Sequence, residues 1–248
     1  MHHFFVKQEQ IQGNEIIIRG KDVNHIRSVL RMQVGEELSV SNGEDDREYR
    51  CGIERIEEDA VICSLRFIKE DGVELPSRIC LFQGLPKADK MEFIIQKAVE
   101  LGVGEIVPFS CKRAVVRLDE KKAGQKQVRW QSVSEAAAKQ CRRAQVPTVH
   151  TPVSFQEALK LGEELDLLLI PYELAQGMEK TREVMTGIEP GKSIGVFIGP
   201  EGGFDEKEIQ AAKERGAVPI TLGRRILRTE TAGLTVLSWL MYHLEGKA

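Results

Sequence analysis

The 248-residue sequence predicts two parts of different class: a small β-barrel over residues 1–72, and over residues 73–248 an α/β domain with a parallel sheet covered on both faces. Three observations predict this. Up to residue 70 the apolar residues fall in short β-rich runs separated by turn residues. After Pro76, nearly continuous apolar runs recur at intervals of about 25–30 residues with helical segments between them, as expected of strands buried on both faces. Between the two parts lies Asp71-Gly72-Val73-Glu74-Leu75-Pro76, where glycine and proline break either regular structure.

In the first part, Ile16–Ile18, Glu37–Val40 and Ala60–Leu65 are predicted strands, and Ser41-Asn42-Gly43 is a turn. One short helix is expected from Asp22 to Leu30. In the second part, the predicted strands are Ile79–Phe82, Ile106–Phe109, Leu165–Ile170, Ile194–Ile198 and Val218–Leu222. A helix is predicted from Asp89 to Leu101. Asp89 and Glu92 have capping-box spacing, Ile94, Ile95, Ala98, Val99 and Leu101 form an apolar stripe, and Gly102 is a stop. A second helix, about Ala123 to Arg143, carries Lys126, Arg129, Lys139, Arg142 and Arg143. The last helix, about Glu230 to Leu244, is apolar on most sides, which predicts deep burial or a dimer contact.

Hydrophobic residues make up 42% and charged residues 29%, ordinary for a soluble globular chain. No run approaches the roughly 18 apolar residues of a membrane helix. The start, Met1 to Val6, lacks the apolar core of a signal peptide, so a cytoplasmic location is expected. The five cysteines are spread without CxxC spacing and the histidines make no HExxH, so neither a metal site nor a disulfide frame is expected. Net charge is −3, but it is unevenly placed: −5 over residues 1–73, +6 over 74–150 and −4 over 151–248. A local positive field is what phosphate contacts need, although a solvated helical face would give the same sum.

Two segments carry chemistry. In Val196 to Asp205 a buried strand ends at Gly199, the glycine-rich turn Gly199-Pro200-Glu201-Gly202-Gly203 follows, and Asp205 with Glu208 marks a helix start. Free backbone N–H groups at such a turn can hold a polar ligand; a tight strand-to-helix turn without a ligand is the competing reading. In Ile220 to Gly233 a second strand ends at Gly223, and Arg224, Arg225 and Arg228 crowd into five positions before an apolar helix. Thr229 is a natural N-cap there. Arg228 opposes the helix dipole, which suggests a task elsewhere. Other nucleotide motifs fail. Gly191-Lys192-Ser193 has Thr186 where a P-loop needs its first glycine, and no GxGxxG follows a strand.

The pair formed by Gly199–Gly203 and by Leu222-Gly223 with Ile226-Leu227-Arg228-Thr229-Glu230-Thr231-Ala232 resembles the signature of the RsmE family, 16S rRNA uridine-N3 methyltransferases of the SPOUT superfamily. Phe93 to Ala98 with Glu100-Leu101-Gly102 is similar to the family's first catalytic-domain helix. His25-Ile26 and Val29-Leu30-Arg31 are similar to a motif of its N-terminal PUA-like barrel. The likeness runs in order along nearly the whole chain. His3 departs from it, standing where many relatives are expected to have a basic residue.

The resemblance implies an α/β SPOUT methyltransferase domain with a C-terminal trefoil knot, an exception to the rule against knots, and a PUA-like β-barrel before it. It implies S-adenosylmethionine as cofactor, held between three loops: Ile170-Pro171-Tyr172-Glu173, Gly199 to Gly203, and Leu222 to Thr231 with Ala232. It implies a homodimer using the first and last helices of the second domain, and 16S rRNA of the small ribosomal subunit as partner, with no membrane and no metal. Uracil N3–H is mostly protonated at neutral pH, so a group must take its proton. Glu230 and Glu201 are the candidate bases, Glu201 having loop orientation as its alternative. Arg228 is the candidate to stabilise developing charge or clamp a phosphate. Candidate RNA contacts are His25, Arg27 and Arg31 in the barrel, and Lys87, Lys112, Arg113, Arg142 and Arg143 in the basic middle. Two other readings stay open: a tRNA ribose 2′-O-methyltransferase of the same superfamily, and a non-catalytic RNA-binding assembly factor.

Overall fold

The computed structural model describes residues 1–70, 72–173, 175 and 177–246, so Asp71 of the predicted linker lies outside the described residues. The chain divides into two units, one of residues 1–74 with 138–146, the other of 75–137 with 147–248. The nine-residue segment 138–146, which the sequence pattern places in the second part, clusters with the first.

Alternating apolar residues build the first unit. Its elements are β1 (His2–Phe5), β2 (Ile11–Gln12), β3 (Glu15–Arg19), α1 (Lys21–Asn24), β4 (Glu37–Ser41), β5 (Glu48–Ile56) and β6 (Ala60–Lys69). They form one six-stranded sheet in the order β1-β4-β5-β6-β3-β2, antiparallel except for the parallel β1–β4 pair. Phe4, Ile16, Ile18, Leu38, Val40, Ile53 and Val61 all enter one buried cluster, so the sheet curls around its own core. The expected helix from Asp22 to Leu30 is shorter and irregular: α1 gives way to a π-helical turn over His25–Val29, closed by Arg31 at φ 53°. β5 escapes the alternation rule because its register shifts between Arg50 and Cys51 and between Ile53 and Arg55. Each bulge turns the following side chains to the other face.

The second unit follows the predicted alternation. Its elements are β7 (Arg78–Gly84), α2 (Lys90–Glu100), β8 (Glu105–Ser110), α3 (Glu120–Cys141, whose last turn falls to the first unit), β9 (Thr148–Val149), β10 (Val153–Ser154), α4 (Phe155–Gly162), β11 (Leu167–Pro171), α5 (Met178–Thr186), β12 (Ser193–Ile198), α6 (Glu206–Glu214), β13 (Val218–Ile220) and α7 (Thr229–Glu245). All its strands are parallel, in the order β10-β8-β7-β12-β11-β13, with β9 on β8. Phe82, Phe109 and Phe197 point to one face and pack with Phe155 and Leu159 of α4 and Ile209 of α6. Leu81 and Ile198 point to the other, beneath Gly233 of α7, which packs in turn on α2.

The capping box of α6 forms as predicted, Asp205 accepting from Lys207 N–H and Glu208 from Asp205 N–H. That of α2 does not. Asp89 makes no side-chain cap, and Glu92 instead takes a bidentate bond from Arg129, 2.9 Å at Nη2. All five cysteines are free. Among the described residues no helix is long and apolar enough to cross a membrane, and no cluster of metal-binding side chains forms.

Candidate active site

The sheet order fixes where a site is built. From β7 the chain passes through α2 to β8 on one side; from its neighbour β12 it passes through α6 to β13 on the other. Adjacent strands whose connections diverge leave a crevice at their carboxyl ends, the usual binding place in open parallel sheets. A cavity of about 440 Å³ lies there.

Three loops line it. Pro171, Tyr172 and Glu173 follow β11; Gly199 to Gly203 follow β12; Leu222, Gly223, Ile226, Leu227 and Arg228 follow β13, and Ala232 adds the first turn of α7. The two predicted glycine loops, 19 residues apart in sequence, thus face one space. Ile170 is fully buried in β11, and Thr231 is exposed on α7; neither is part of the wall. Ile198, Phe204, Thr221, Arg224, Arg225, Thr229 and Lys90 complete it.

Close packing of backbone shapes this crevice. Gly84 ends β7 against the glycine loop, and a Cβ there would sit 2.7 Å from both Pro200 N and Cδ. Gly223 has φ 103°, a conformation side-chain-bearing residues rarely adopt. Thr229 is not the N-cap of α7. That place falls to Arg228, which makes no side-chain cap. Thr229 is the first residue of the helix, buried, with its hydroxyl donating to Gly199 O at 2.6 Å and accepting from Gln83 Nε2 at 2.9 Å. One hydroxyl therefore ties the ends of β7 and β12 to the start of α7.

Lys90, which no sequence motif marks, organises the charge. Its Nζ lies 2.9 Å from Glu201 Oε1 and 3.3 Å from Glu230 Oε2. Glu201 also accepts from Lys87 N–H at 3.2 Å. Burial works to raise the Glu201 carboxyl, but the Lys90 ammonium and the backbone N–H groups of Glu201 and Lys87 outweigh it and hold the group below the usual carboxylate range. Glu230 Oε2 is buried and, among the described residues, makes no hydrogen bond beyond its ion pair with Lys90. Lys90 begins α2, so it meets Glu201 only because β7 neighbours β12; position along the chain gives no sign of it.

The expected RNA contacts divide. Lys112 and Arg113 are exposed, but they brace the glycine loop and the helix after it: Lys112 Nζ is 2.9 Å from Asp205, its N–H donates to Glu208, and Arg113 Nη1 donates to Gly202 O at 3.3 Å. Lys87 is exposed beside Glu201. His25, Arg27, Arg31 and Arg142 are exposed in the first unit. Arg143 is not available to a ligand. It is 5% exposed, with its guanidinium paired to Glu74, because the turn after α3 folds it inward.

Comparison with known proteins shows what the chain as a whole is similar to. Residues 73–241 match the model of the RNA methyltransferase domain, and residues 18–66 match that of the RNA methyltransferase PUA domain. The chain is 36% identical to ribosomal RNA small subunit methyltransferase E of Bacillus subtilis, over 99% of this chain and 98% of that protein. It is 31% identical to the protein of that name from Aquifex aeolicus, over 97% and 99%. Among solved structures, ribosomal RNA small subunit methyltransferase E from Neisseria gonorrhoeae, bound to S-adenosyl methionine, superposes with a TM-score of 0.83 at 29% identity, covering 98% of this chain and 97% of that one. A putative methyltransferase from Legionella pneumophila, in complex with the same cofactor, gives a TM-score of 0.82 at 32% identity over 97% and 96%. Glycine loops converging at the switch point of an α/β domain, in a chain alike end to end with these proteins, place it in the ribosomal RNA small subunit methyltransferase E family.

Proposed function

We propose that this chain transfers the methyl group of S-adenosylmethionine to N3 of a uridine in 16S rRNA, acting in the cytoplasm on the small ribosomal subunit. The observation that carries this reading is the meeting of both glycine loops around one cavity lined by Lys90 and Glu201, with Glu230 just behind the wall on Lys90, in a chain similar to its relatives from end to end.

The residues fit the cofactor. Pro171, Ile198, Leu222, Leu227 and Ala232 give an apolar wall suited to a purine, and Glu173 and Glu201 suit cationic groups. The amides of Arg224, Arg225, Ile226 and Leu227 donate to no protein acceptor among the described residues, leaving backbone donors for a ligand. When bound, the cofactor supplies a methyl group on a positively charged sulfur, already activated for displacement. The protein then has to align the acceptor base and remove its proton.

Glu230, whose carboxylate is paired to Lys90 alone among the described residues, is the proton acceptor in this reading, and Glu201, held by Lys87 N–H as well as Lys90, orients the glycine loop. The N3 proton passes to the Glu230 carboxylate as the N3–methyl bond forms. Arg228, exposed at the cavity, stabilises charge developing on a uracil carbonyl. N3 lies on the pairing edge, so the base is unpaired or flipped out when it reacts.

Two finer features belong to the same reading: a trefoil knot formed where α7 leaves the cavity loops, and a homodimer through α2 and α7. The exposed Phe93 (47%) and Tyr242 (83%) support the second, being large apolar groups on those two helices. The test is to incubate the protein with methyl-labelled cofactor and small subunits from cells lacking the gene, then digest the RNA. Label in 3-methyluridine is expected; label in a ribose-methylated nucleoside, or none, refutes the proposal. Arg228→Ala is expected to retain cofactor affinity and to lose about 10²–10³ in turnover.

A further inference from the structure

The first unit has a concavity of its own, about 240 Å³, formed by β1, the π-helical turn after α1 and the last turn of α3 with the residues after it. Phe4, Leu30 and the exposed His25 line one side, and Lys139 and Arg142 the other. Lys139 is already engaged, 2.8 Å from Asp22 and 4.2 Å above the Phe4 ring. Arg142 is exposed and makes no ion pair among the described residues.

Backbone conformation singles out the arginines. Among the described residues three non-glycine residues have positive φ, and two of them are Arg31 (φ 53°) and Arg142 (φ 61°), both in this unit. Each closes a helical segment with a long capping bond, Met32 N–H to Ile26 O one residue wider than a Schellman turn after the π-helical turn, and Arg143 N–H to Ala138 O as in a Schellman turn after α3, both 3.0 Å. That position favours glycine, which the chain uses for positive φ at ten other places. A cation is welcome near a helix C-terminus, but one position earlier would provide it without strain. The side chain held at each turn is therefore what the strain secures. The pocket also has a buried polar group in its lining. His3 is 6% exposed, its Nδ1 shares a hydrogen bond with Ser39 Oγ at 3.0 Å, and its Nε2 has no partner among the described residues. Burial pushes this imidazole down to about 4, so it is neutral at physiological pH. A half-open pocket that joins imidazole and aromatic groups to one uncommitted guanidinium matches a nucleotide: a planar, neutral base carrying an anionic phosphate.

We propose that this pocket takes one unpaired nucleotide of the RNA substrate, the base against His25 and Leu30 and its phosphate on Arg142, with Arg31 meeting the same strand farther along. It rests on reading the chain as an RNA methyltransferase, and it adds a contact point in the first unit, separate from the cavity that holds the reacting uridine.

The test uses Arg142→Gly and Arg31→Gly in the full-length protein. Glycine suits both turns, so folding is preserved while the guanidinium is lost. Binding of a fluorescent oligouridylate about ten nucleotides long is followed by anisotropy against salt, without cofactor. Each variant is expected to bind about five- to tenfold more weakly, with a log–log salt slope shallower by about one. Melting temperature is expected not to fall, and cofactor affinity to be unchanged. A 4-thiouridine placed in the oligonucleotide is expected to crosslink to the peptide bearing His25. No binding by the parent protein, or parent affinity and slope in Arg142→Gly, overturns the pocket. The methylation reading stands or falls separately: a parent that binds the oligonucleotide but makes no 3-methyluridine refutes that reading and leaves the pocket intact.

Discussion

Replacing Thr229 by valine keeps the shape of the side chain and removes its hydroxyl. That hydroxyl makes two hydrogen bonds, a half-buried one to Gly199 O and a buried one from Gln83 Nε2. Gln83 is fully buried, but its Nε2 retains Gly84 O as an acceptor, so only one of its donor bonds is lost. Gly199 is half-buried, and its carbonyl is partly recovered by water. Two net hydrogen bonds at about 1 kcal/mol each, with desolvation only partly uncompensated, give a destabilisation of about 2 kcal/mol. For a chain of this size that lowers the melting temperature by about 4–8 °C. The glycine loop also loses its tie to α7, so cofactor affinity is expected to fall about fivefold, the equivalent of one hydrogen bond. Thr229→Ser keeps the hydroxyl and is expected to restore most of both losses. Urea denaturation and calorimetric titration with S-adenosylmethionine measure the two effects. Stability within about 0.5 kcal/mol of the parent in Thr229→Val, with unchanged cofactor affinity, would refute the view that this hydroxyl joins the three elements.

Lys90→Gln removes the cation that offsets burial at Glu201. The depressed folded-state pKa of Glu201 means its carboxylate contacts persist as pH falls through the ordinary carboxylate range and fail only as pH drops through the lower folded value. The variant is expected to lose cofactor affinity at a higher pH than the parent over about pH 4–6; coincident titration curves count against it. Gly84→Ala brings a methyl group against the Pro200 backbone, which cannot rotate away, and is expected to abolish cofactor binding while the first unit keeps its fold by amide exchange. Arg143→Ala leaves Glu74 buried without its cation, and urea denaturation is expected to show a loss of about 3–5 kcal/mol. Replacing both partners by apolar residues of similar volume is expected to recover most of it.

The parallel strands were legible because burial on both faces leaves continuous apolar runs, and β12 and β13 coincide with Ile194–Ile198 and Val218–Leu222 to within two residues. Both glycine loops were legible for the same reason, since each follows such a run. Side-chain partners were not. Glu92 has capping-box spacing from Asp89 yet pairs with Arg129, 37 residues away in sequence. Thr229 has the chemistry of an N-cap but serves a strand end 30 residues earlier. Arg143 stands in a basic cluster that reads as surface, while the turn after α3 points it inward at Glu74. In each case spacing names a local partner and the fold supplies a distant one of equal chemistry. Lys90 is the extreme case, because its role exists only once two strands more than 100 residues apart become neighbours.

The first unit draws on residues 1–74 and again on 138–146. Genetically it is an interrupted module. A fragment cut after Glu74 would lack Arg143, the countercharge of that same glutamate, and Lys139, the countercharge of Asp22. Excising the first 74 residues would strand both cations in what remains. Recombination at a single crossover therefore cannot exchange one first unit for another in this chain. Such a swap needs three junctions, and homologues that trade first units are expected to carry their own version of the short segment after α3 with them.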